Sequence, residues 1–186
     1  MSLREAIRNA TDEEKSEALR ELMKFPLGQK TFEAWCETNI TCPMEYCILS
    51  HGANEILLYN RPDDDPYYAG QLHVTGGVLL PGQYPDEVWE RLTTSPKYGL
   101  AGVSLSRPFR INSINTPKGS QQQGCSPRGQ EQNQIHISFF IDGILPQSGC
   151  GWYRLDELPR TGPRRVIGHH QRYIDEVLLP WLGLSY

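Results

Sequence analysis

The chain of 186 residues predicts a fold of the α/β class, α+β type, with a helical extension at its N-terminus. Three observations carry this expectation: apolar residues recur at helical spacing before residue 40, short β-type runs replace them from Glu45, and the C-terminus holds a long amphipathic stretch. The length suits one well-buried core, at roughly 100–200 residues per domain. The sequence divides into a helical extension, residues 1–40, and a main domain, residues 41–186.

In the extension, Thr11 and Glu14 form a capping box, in which the hydroxyl accepts from the backbone N–H three residues on and the glutamate reaches back. A helix therefore starts there. Ala18, Leu19, Leu22 and Met23 make its apolar stripe, and Phe25-Pro26-Leu27-Gly28 stops it. A second short helix near Thr31 to Glu37 is expected to bury Phe32 and Trp35. The two helices are expected to pack on the main domain or to bridge copies of it, which makes a homodimer an expected assembly.

EYCILSHG and EILLYNRP flank the turn signal Gly52-Ala53-Asn54 and read as a β-hairpin. In the loop DDDPYYAG, Asp63, Asp64 and Asp65 lack the interleaved ligands and turn glycine of a calcium loop and read as solvated acids. QLHVTGGVLL is a further extended run. YPDEVWERL is a helix: Pro85 suits a first turn, Asp86 and Glu87 complement the positive helix end, and Pro96 biases Ser95 away from helical angles. LAGVSLSRPFRINSI gives one or two strands. Residues 119–133, GSQQQGCSPRGQEQN, read as a mobile loop too polar to bury. IHISFFIDGIL is the strongest strand, expected at the sheet centre with Ile135, Ile137, Phe139 and Ile141 on one face. GWYRLDELPR reads as a strand leading to a turn. VIGHHQRYIDEVLLPWL is a docking helix with Val166, His170, Tyr173, Ile174, Val177, Leu178 and Trp181 on one face, and Pro180 disturbs only its last turn.

A net charge of -4 without a long cationic run argues against nucleic acid as a partner, and the cluster Arg160, Arg164, Arg165 reads as a solvated loop. No stretch approaches the roughly 18 apolar residues that span a bilayer, and the N-terminus is polar, so the expectation is a cytoplasmic protein without a membrane partner. Five cysteines at irregular spacing read as reduced thiols. Cys36, Cys42, Cys47 and His51 lack the tight Cys-x2-Cys pair of a zinc site. His73 and His136 read as hydrogen-bonded strand histidines, and His169-His170 as two side chains on different helical faces, a poor joint metal site.

The order hairpin, extended run, Gly-Gly, Pro-Gly, helix, strands, Trp-x-x-x-Asp-Glu-Leu and final helix resembles the Nudix hydrolase family over about residues 45–182. That family's box reads Gly, five residues, Glu, seven residues, Arg-Glu-apolar-x-Glu-Glu-x-Gly-apolar. Counted from Gly77, the first glutamate falls on Gln83 and the arginine on Arg91. Gly76-Gly77 matches the family's glycine pair, Ile56 to Arg61 its strand ending in Arg, and Trp152 and Leu158 its closing strand and turn. The resemblance implies a mixed β-sheet sandwiched between helices, and a loop-helix-loop that carries divalent metal for attack on nucleoside diphosphates linked to another group.

The departures fall on the chemistry. The three later glutamates of the box fall on Leu92, Ser95 and Pro96, and the Gly-apolar ending survives one place late as Gly99-Leu100. Mg2+ takes oxygen ligands, commonly carboxylates, so the usual cradle is missing. Glu87 and Glu90 lie roughly 220° and 160° from Leu92 on the helical wheel, on the opposite face. Two readings stand open. In one, the chain binds a nucleotide-like ligand or a partner through Gly76, Gly77, Arg61, Arg91 and Gln83, with Tyr67, Tyr68 and Trp89 near them, and does not hydrolyse it. In the other, it is a divergent Mg2+-dependent hydrolase of a pyrophosphate bond whose acids come from Glu87, Glu90, Glu131 or Asp142, with Glu45 and Glu55 as further acids near the pocket.

Overall fold

A computed structural model describes residues 3–22, 27–121, 124–145 and 149–184. Helices α1 (Leu3–Asn9), α2 (Asp12–Leu22) and α3 (Gln29–Thr38) precede the sheet. The capping box heads α2: Glu14 N–H donates to Thr11 Oγ1 at 3.2 Å and Thr11 N–H to Glu14 Oε2 at 2.7 Å. In the apolar stripe of α2, Ala18 is exposed and Leu19 is 61 % exposed; the Leu22 side chain and Met23 lie outside the described residues. In α3 the buried residue is Cys36, whereas Phe32 and Trp35 are only half-buried, because one side of Phe32 lines a cleft.

Among the described residues eight strands form one mixed sheet. They are β1 (Pro43–Leu49), β2 (Glu55–Asn60), β3 (Leu72–His73), β4 (Thr75–Val78), β5 (Ser104–Leu105), β6 (Phe109–Thr116), β7 (Glu131–Asp142) and β8 (Cys150–Arg154). The predicted hairpin joins β1 to β2, with Leu49 opposite Ile56 and Ala53 at φ 53° in the turn. β1 is the hub. Its first half pairs antiparallel with β4, Glu45 facing Gly76 and Met44 facing Gly77, and its other edge runs parallel to β7, Glu45 beside Ile135. β7 is central, as its apolar run demands, and also pairs antiparallel with β6 and β5. It starts at Glu131, inside the segment expected to be mobile. Ile141, near its far end, is 62 % exposed rather than part of an inward face.

Alternation along β1 assigns its side chains to two layers. Cys47 and Leu49 face Tyr173, Ile174, Val177 and Leu178 of the C-terminal helix. Met44 and Tyr46 face Val88 and Leu92 of α4 (Pro85–Thr94), with the Tyr46 and Trp89 ring centroids 4.8 Å apart. The sheet is thus sandwiched between helices. Each fully buried Leu, Ile or Val contributes about 1.5–3 kcal/mol through removal of apolar area from water.

The closing helix departs from expectation in two ways. It starts as α5 (Gly168–Tyr173), opens into a π-helical turn over Ile174–Leu178 and closes as α6 (Leu179–Trp181). Pro180 therefore affects more than the last turn. Its ring would meet the carbonyl four residues back in a regular α-helix, and the wider turn before it relieves that contact. Trp181 is 46 % exposed and pairs with Phe109 at 5.7 Å instead of docking inward. Among the described residues no helix is long and apolar enough to cross a membrane.

Leu92 sits where the box resemblance would place a glutamate, and its packing against Met44 and Tyr46 yields a direct expectation. Leu92→Ala should lose about 2–5 kcal/mol in urea unfolding, whereas Glu90→Ala on the solvent side should change stability by less than about 0.5 kcal/mol.

Candidate functional site

The site begins with Asp65, whose sequence context reads as a solvated acid. Only 9 % of its side chain is exposed. Its Oδ1 accepts the backbone N–H of Tyr67 and of Tyr68, each at 2.9 Å, which folds the loop after β2. Its Oδ2 lies 3.7 Å from Arg61 Nη1 and 3.6 Å from Arg128 Nη2. Those two guanidiniums stand over the Tyr68 ring at 5.7 and 5.1 Å, and Arg128 also stands over Tyr67 at 5.5 Å. Cation–π contact and the ion pairs together hold two like charges side by side.

These groups border a cleft with two adjoining chambers. The outer one, about 850 Å3, lies between α3 (Gln29, Phe32), the Asp65 loop and the turn after α4 (Tyr98). The inner one, about 430 Å3, runs beneath Arg61 and Arg128 to Gly76, Gly77, Glu45, Glu131, His169 and His170. From segment 119–133, expected to be too polar to bury, Arg128 and Glu131 line the inner chamber. Ser126 is fully buried and donates to Glu131 Oε1 at 2.8 Å, so the loop's polar groups satisfy one another. Gln121 Nε2 donates to the Tyr67 carbonyl, and Gly129 lies so close to the Cys36 carbonyl that a Cβ there would overlap it. Through that contact α3 is fixed over the cleft. Gln122 and Gln123 lie outside the described residues.

Glu45 is the deepest charged residue type of the inner chamber. It shares the α5 face of β1 with Cys47 and Leu49, and Gly76 stands next to it across the β1–β4 pair. A Cβ on residue 76 would overlap Glu45 Oε2, which is why glycine is required there. Burial, followed by the nearby Glu131 carboxylate, raises the Glu45 carboxyl from the ordinary value of 4.5 to about 8, against the opposing pull of Arg61 and Arg128. Burial likewise raises Glu131, offset first by its hydrogen bond from Ser126. His169 is pushed down to about 3 by burial and the arginines, and His170 well below its ordinary value by burial and its histidine neighbours. Val74 N–H donates to His170 Nδ1 at 3.1 Å, so the neutral imidazole carries its hydrogen on Nε2, 4.0 Å from Glu45 Oε1. The two histidines, expected on different faces, come together with ring centroids 4.5 Å apart because they occupy the first turn of α5, where the helix meets the chamber.

The box-like segment is built differently. Arg91 Nη2 donates to the Val78 carbonyl at 3.1 Å, and Arg91 Nη1 to Gln83 Oε1 at 3.3 Å. Gln83 Oε1 also accepts the Leu80 N–H at 3.2 Å, so both residues brace the loop between β4 and α4. Glu87 accepts the Tyr84 N–H at 2.5 Å as the capping partner of α4. Glu87 and Glu90 are exposed and line neither chamber. Asp142 accepts the Gly143 N–H at 2.7 Å on the far end of β7, and Glu55 faces Arg154 across the sheet, so neither reaches the cleft. Of the residues named from sequence, Gly76, Gly77, Arg61, Arg91, Glu131 and Glu45 converge. Arg128, Asp65, His169 and His170 join them without a local pattern that marks them. Trp89 packs with the α4 core rather than facing ligand space.

Metal chemistry can be tested against these donors. The inward face of α4 carries Val88 and Leu92, which ligate nothing. The remaining carboxyl pair, Glu45 and Glu131, is flanked by two guanidiniums whose charge opposes a divalent cation. Among the described residues no group of three or more His, Cys, Asp or Glu is arranged to hold a metal ion. The residues present do not fit the family's Mg2+ cradle.

No protein-family model matches the sequence, and no curated protein matches it. Solved structures do match. One, described as a possible asymmetric diadenosine tetraphosphate hydrolase from Jonesia denitrificans, superimposes with a TM-score of 0.57 at 12 % identity, over 78 % of this chain and 94 % of its own. The NUDIX domain of Shewanella oneidensis NrtR, solved with ADP ribose, gives 0.51 at 12 %, over 95 % and 96 %. A MutT NUDIX hydrolase from Burkholderia pseudomallei gives 0.50 at 12 %, over 73 % and 96 %.

The chain has the Nudix fold. Within that fold the glycine pair divides its work between layers. Gly76 admits Glu45 on the α5 face, while Gly77, opposite Met44, lies beneath Arg91, Val88 and Leu92 on the α4 face. Helix α4 has an apolar inner side, and polar groups line the chambers beside it.

The buried carboxyl predicts a pH dependence. The folded state holds the Glu45 proton up to about 8, while the unfolded chain releases it near 4.5. Its contribution to stability is therefore complete below about 4.5 and lost as the pH rises to about 8. Melting temperatures of the wild-type chain should fall across this window relative to Glu45→Gln, which has no proton to release. Gly76→Ala should lower the melting temperature at every pH, because its methyl group displaces the Glu45 carboxyl.

Proposed function

We propose that this Nudix-fold chain binds an anionic, nucleotide-like ligand in the two-chambered cleft and does not perform the metal-dependent hydrolysis that the box resemblance implies. The carrying observation is the pair Arg61 and Arg128, held by Asp65 and stacked on Tyr68, at a cleft whose neighbouring helix turns Val88 and Leu92 inward. Guanidinium groups match phosphate oxygens in geometry and charge. The chamber volumes of about 850 and 430 Å3 suit a small molecule. Phe32 and Tyr67, which both line the outer chamber, supply aromatic surface for a planar ring. The NrtR domain crystallised with ADP ribose makes that compound the first ligand to try.

The alternative, a divergent Mg2+-dependent hydrolase, draws support from Glu131 and from the further acid Glu45, since these two of its named acids line the inner chamber. Glu87 and Glu90 are then left outside the chemistry.

Calorimetric titration with ADP-ribose, in EDTA and again in Mg2+, distinguishes the two. The binding reading predicts equal affinity in both buffers and intact ligand after prolonged incubation. It also predicts affinity about 10- to 100-fold weaker in Arg128→Ala, as expected for loss of a charge-assisted hydrogen bond. Turnover that requires Mg2+ and vanishes in Glu131→Gln would overturn it in favour of the hydrolase.

A further inference from the structure

Four buried polar atoms around the inner chamber have no hydrogen-bond partner among the described residues: Glu45 Oε2, Arg61 Nε, Tyr68 Oη and His169 Nδ1. They come from β1, the residue just after β2, the loop that follows it and α5, four places with no local reason to leave polar atoms unpaired together. Unpaired buried groups are costly, and their convergence on one cavity marks a place where a ligand completes them.

The groups facing Glu45 determine what that ligand meets. Glu131 approaches from β7, Arg128 from the loop before it and Arg61 from the end of β2. From α5 come the neutral His170, with Nε2 at 4.0 Å from Oε1, Tyr173 and His169; Tyr46 and Cys47 are titratable neighbours on β1 itself, and His136 of β7 meets the Glu45 backbone. His73, from β3, interacts with His170. No cation pairs closely with Glu45, and a second carboxyl lies near it. The inner chamber is thus lined by Arg61, Arg91 and Arg128 against Glu45 and Glu131, and Asp65 already engages two of the three arginines.

We propose that Glu45 is the proton-carrying contact of a phosphoryl subsite: as the neutral acid it donates a hydrogen bond from Oε2 to an oxygen of a diphosphate lodged against Arg61 and Arg128. This rests on the ligand-binding reading above and adds a specific role to it. Loss of the proton would put a carboxylate against that oxygen and remove the net positive charge on which the subsite depends. Diphosphate binding is therefore strong in neutral and mildly acidic solution, is switched off in alkali, and takes up a proton in between.

ADP-ribose is a suitable probe, because its diphosphate stays fully ionised across the window. Wild-type affinity should fall about tenfold or more between about pH 6.5 and about pH 9.5. Glu45→Gln, which keeps a neutral hydrogen-bond donor, should hold its affinity across the same range. Titrations near pH 8 in two buffers of different ionisation enthalpy should show proton uptake by the wild type. That measurement needs no variant, so it remains decisive if Glu45→Gln fails to fold. Binding without proton uptake, or an equal pH dependence in wild type and Glu45→Gln, overturns the proposal while leaving ligand binding intact. Transfer of the pH dependence to Glu131 alone, seen as its loss in Glu131→Gln and persistence in Glu45→Gln, also overturns it. Absence of ADP-ribose binding at every pH overturns the reading on which the proposal rests.

Discussion

A carboxyl group buried in the middle of the sheet is the constraint around which this molecule is arranged. Glu45 lies on β1, the strand that pairs with β4 and β2 on one edge and with β7 on the other, so its position is fixed by backbone hydrogen bonding on both sides. An ionised carboxylate there would face a large desolvation cost, which the pull of Arg61 and Arg128 offsets only in part. The surroundings answer in sequence. Gly76 leaves room for the carboxyl, Glu131 beside it is held by Ser126, and the two nearest cations are tied to Asp65. Asp65 in turn shapes the tyrosine loop that borders the outer chamber.

The helix α4 that follows the glycine pair is held by capping and packing. Its N-terminus is capped by Glu87, its loop is braced by Gln83 and Arg91, and its inner side is apolar core. A loop-helix-loop of this kind can keep its shape when its charge is lost, because shape rests on glycine geometry, capping and packing, whereas metal chemistry rests on a few carboxylates. The polar character has instead gathered on the other face of β1. There the neighbouring side chains are arginines, histidines and a carboxyl that retains its proton.

The hairpin, α4, the central β7 and the capping box of α2 were legible because each is written in local signals: a turn tripeptide, a proline at a helix start, alternating β-branched residues, Thr11 and Glu14 three apart. The mixed sheet between helices was legible only through resemblance. The site was legible in part. Gly76, Gly77 and Arg61 followed from the box and its preceding strand, but Asp65 and Ser126 look like loop residues until their partners, distant in sequence, are known. Burial of a polar residue is decided by tertiary neighbours, and a Gln- and Gly-rich segment gives no sign of them. The same limit explains α3, whose half-buried Phe32 faces a cleft rather than a core, and Trp181, whose helical register points inward although the π-helical turn before Pro180 redirects it.

On the proposed reading the ligand-binding groups lie on the α5 side of β1 rather than on the acidic face of α4. Its most direct test is a crystal structure of the chain grown with ADP-ribose and Mn2+, with the anomalous signal of manganese recorded. The account predicts the diphosphate against Arg61 and Arg128, within hydrogen-bond distance of Glu45, and no manganese peak beside α4. A manganese peak coordinated by Glu87 or Glu90, with the diphosphate drawn to it, would contradict the account.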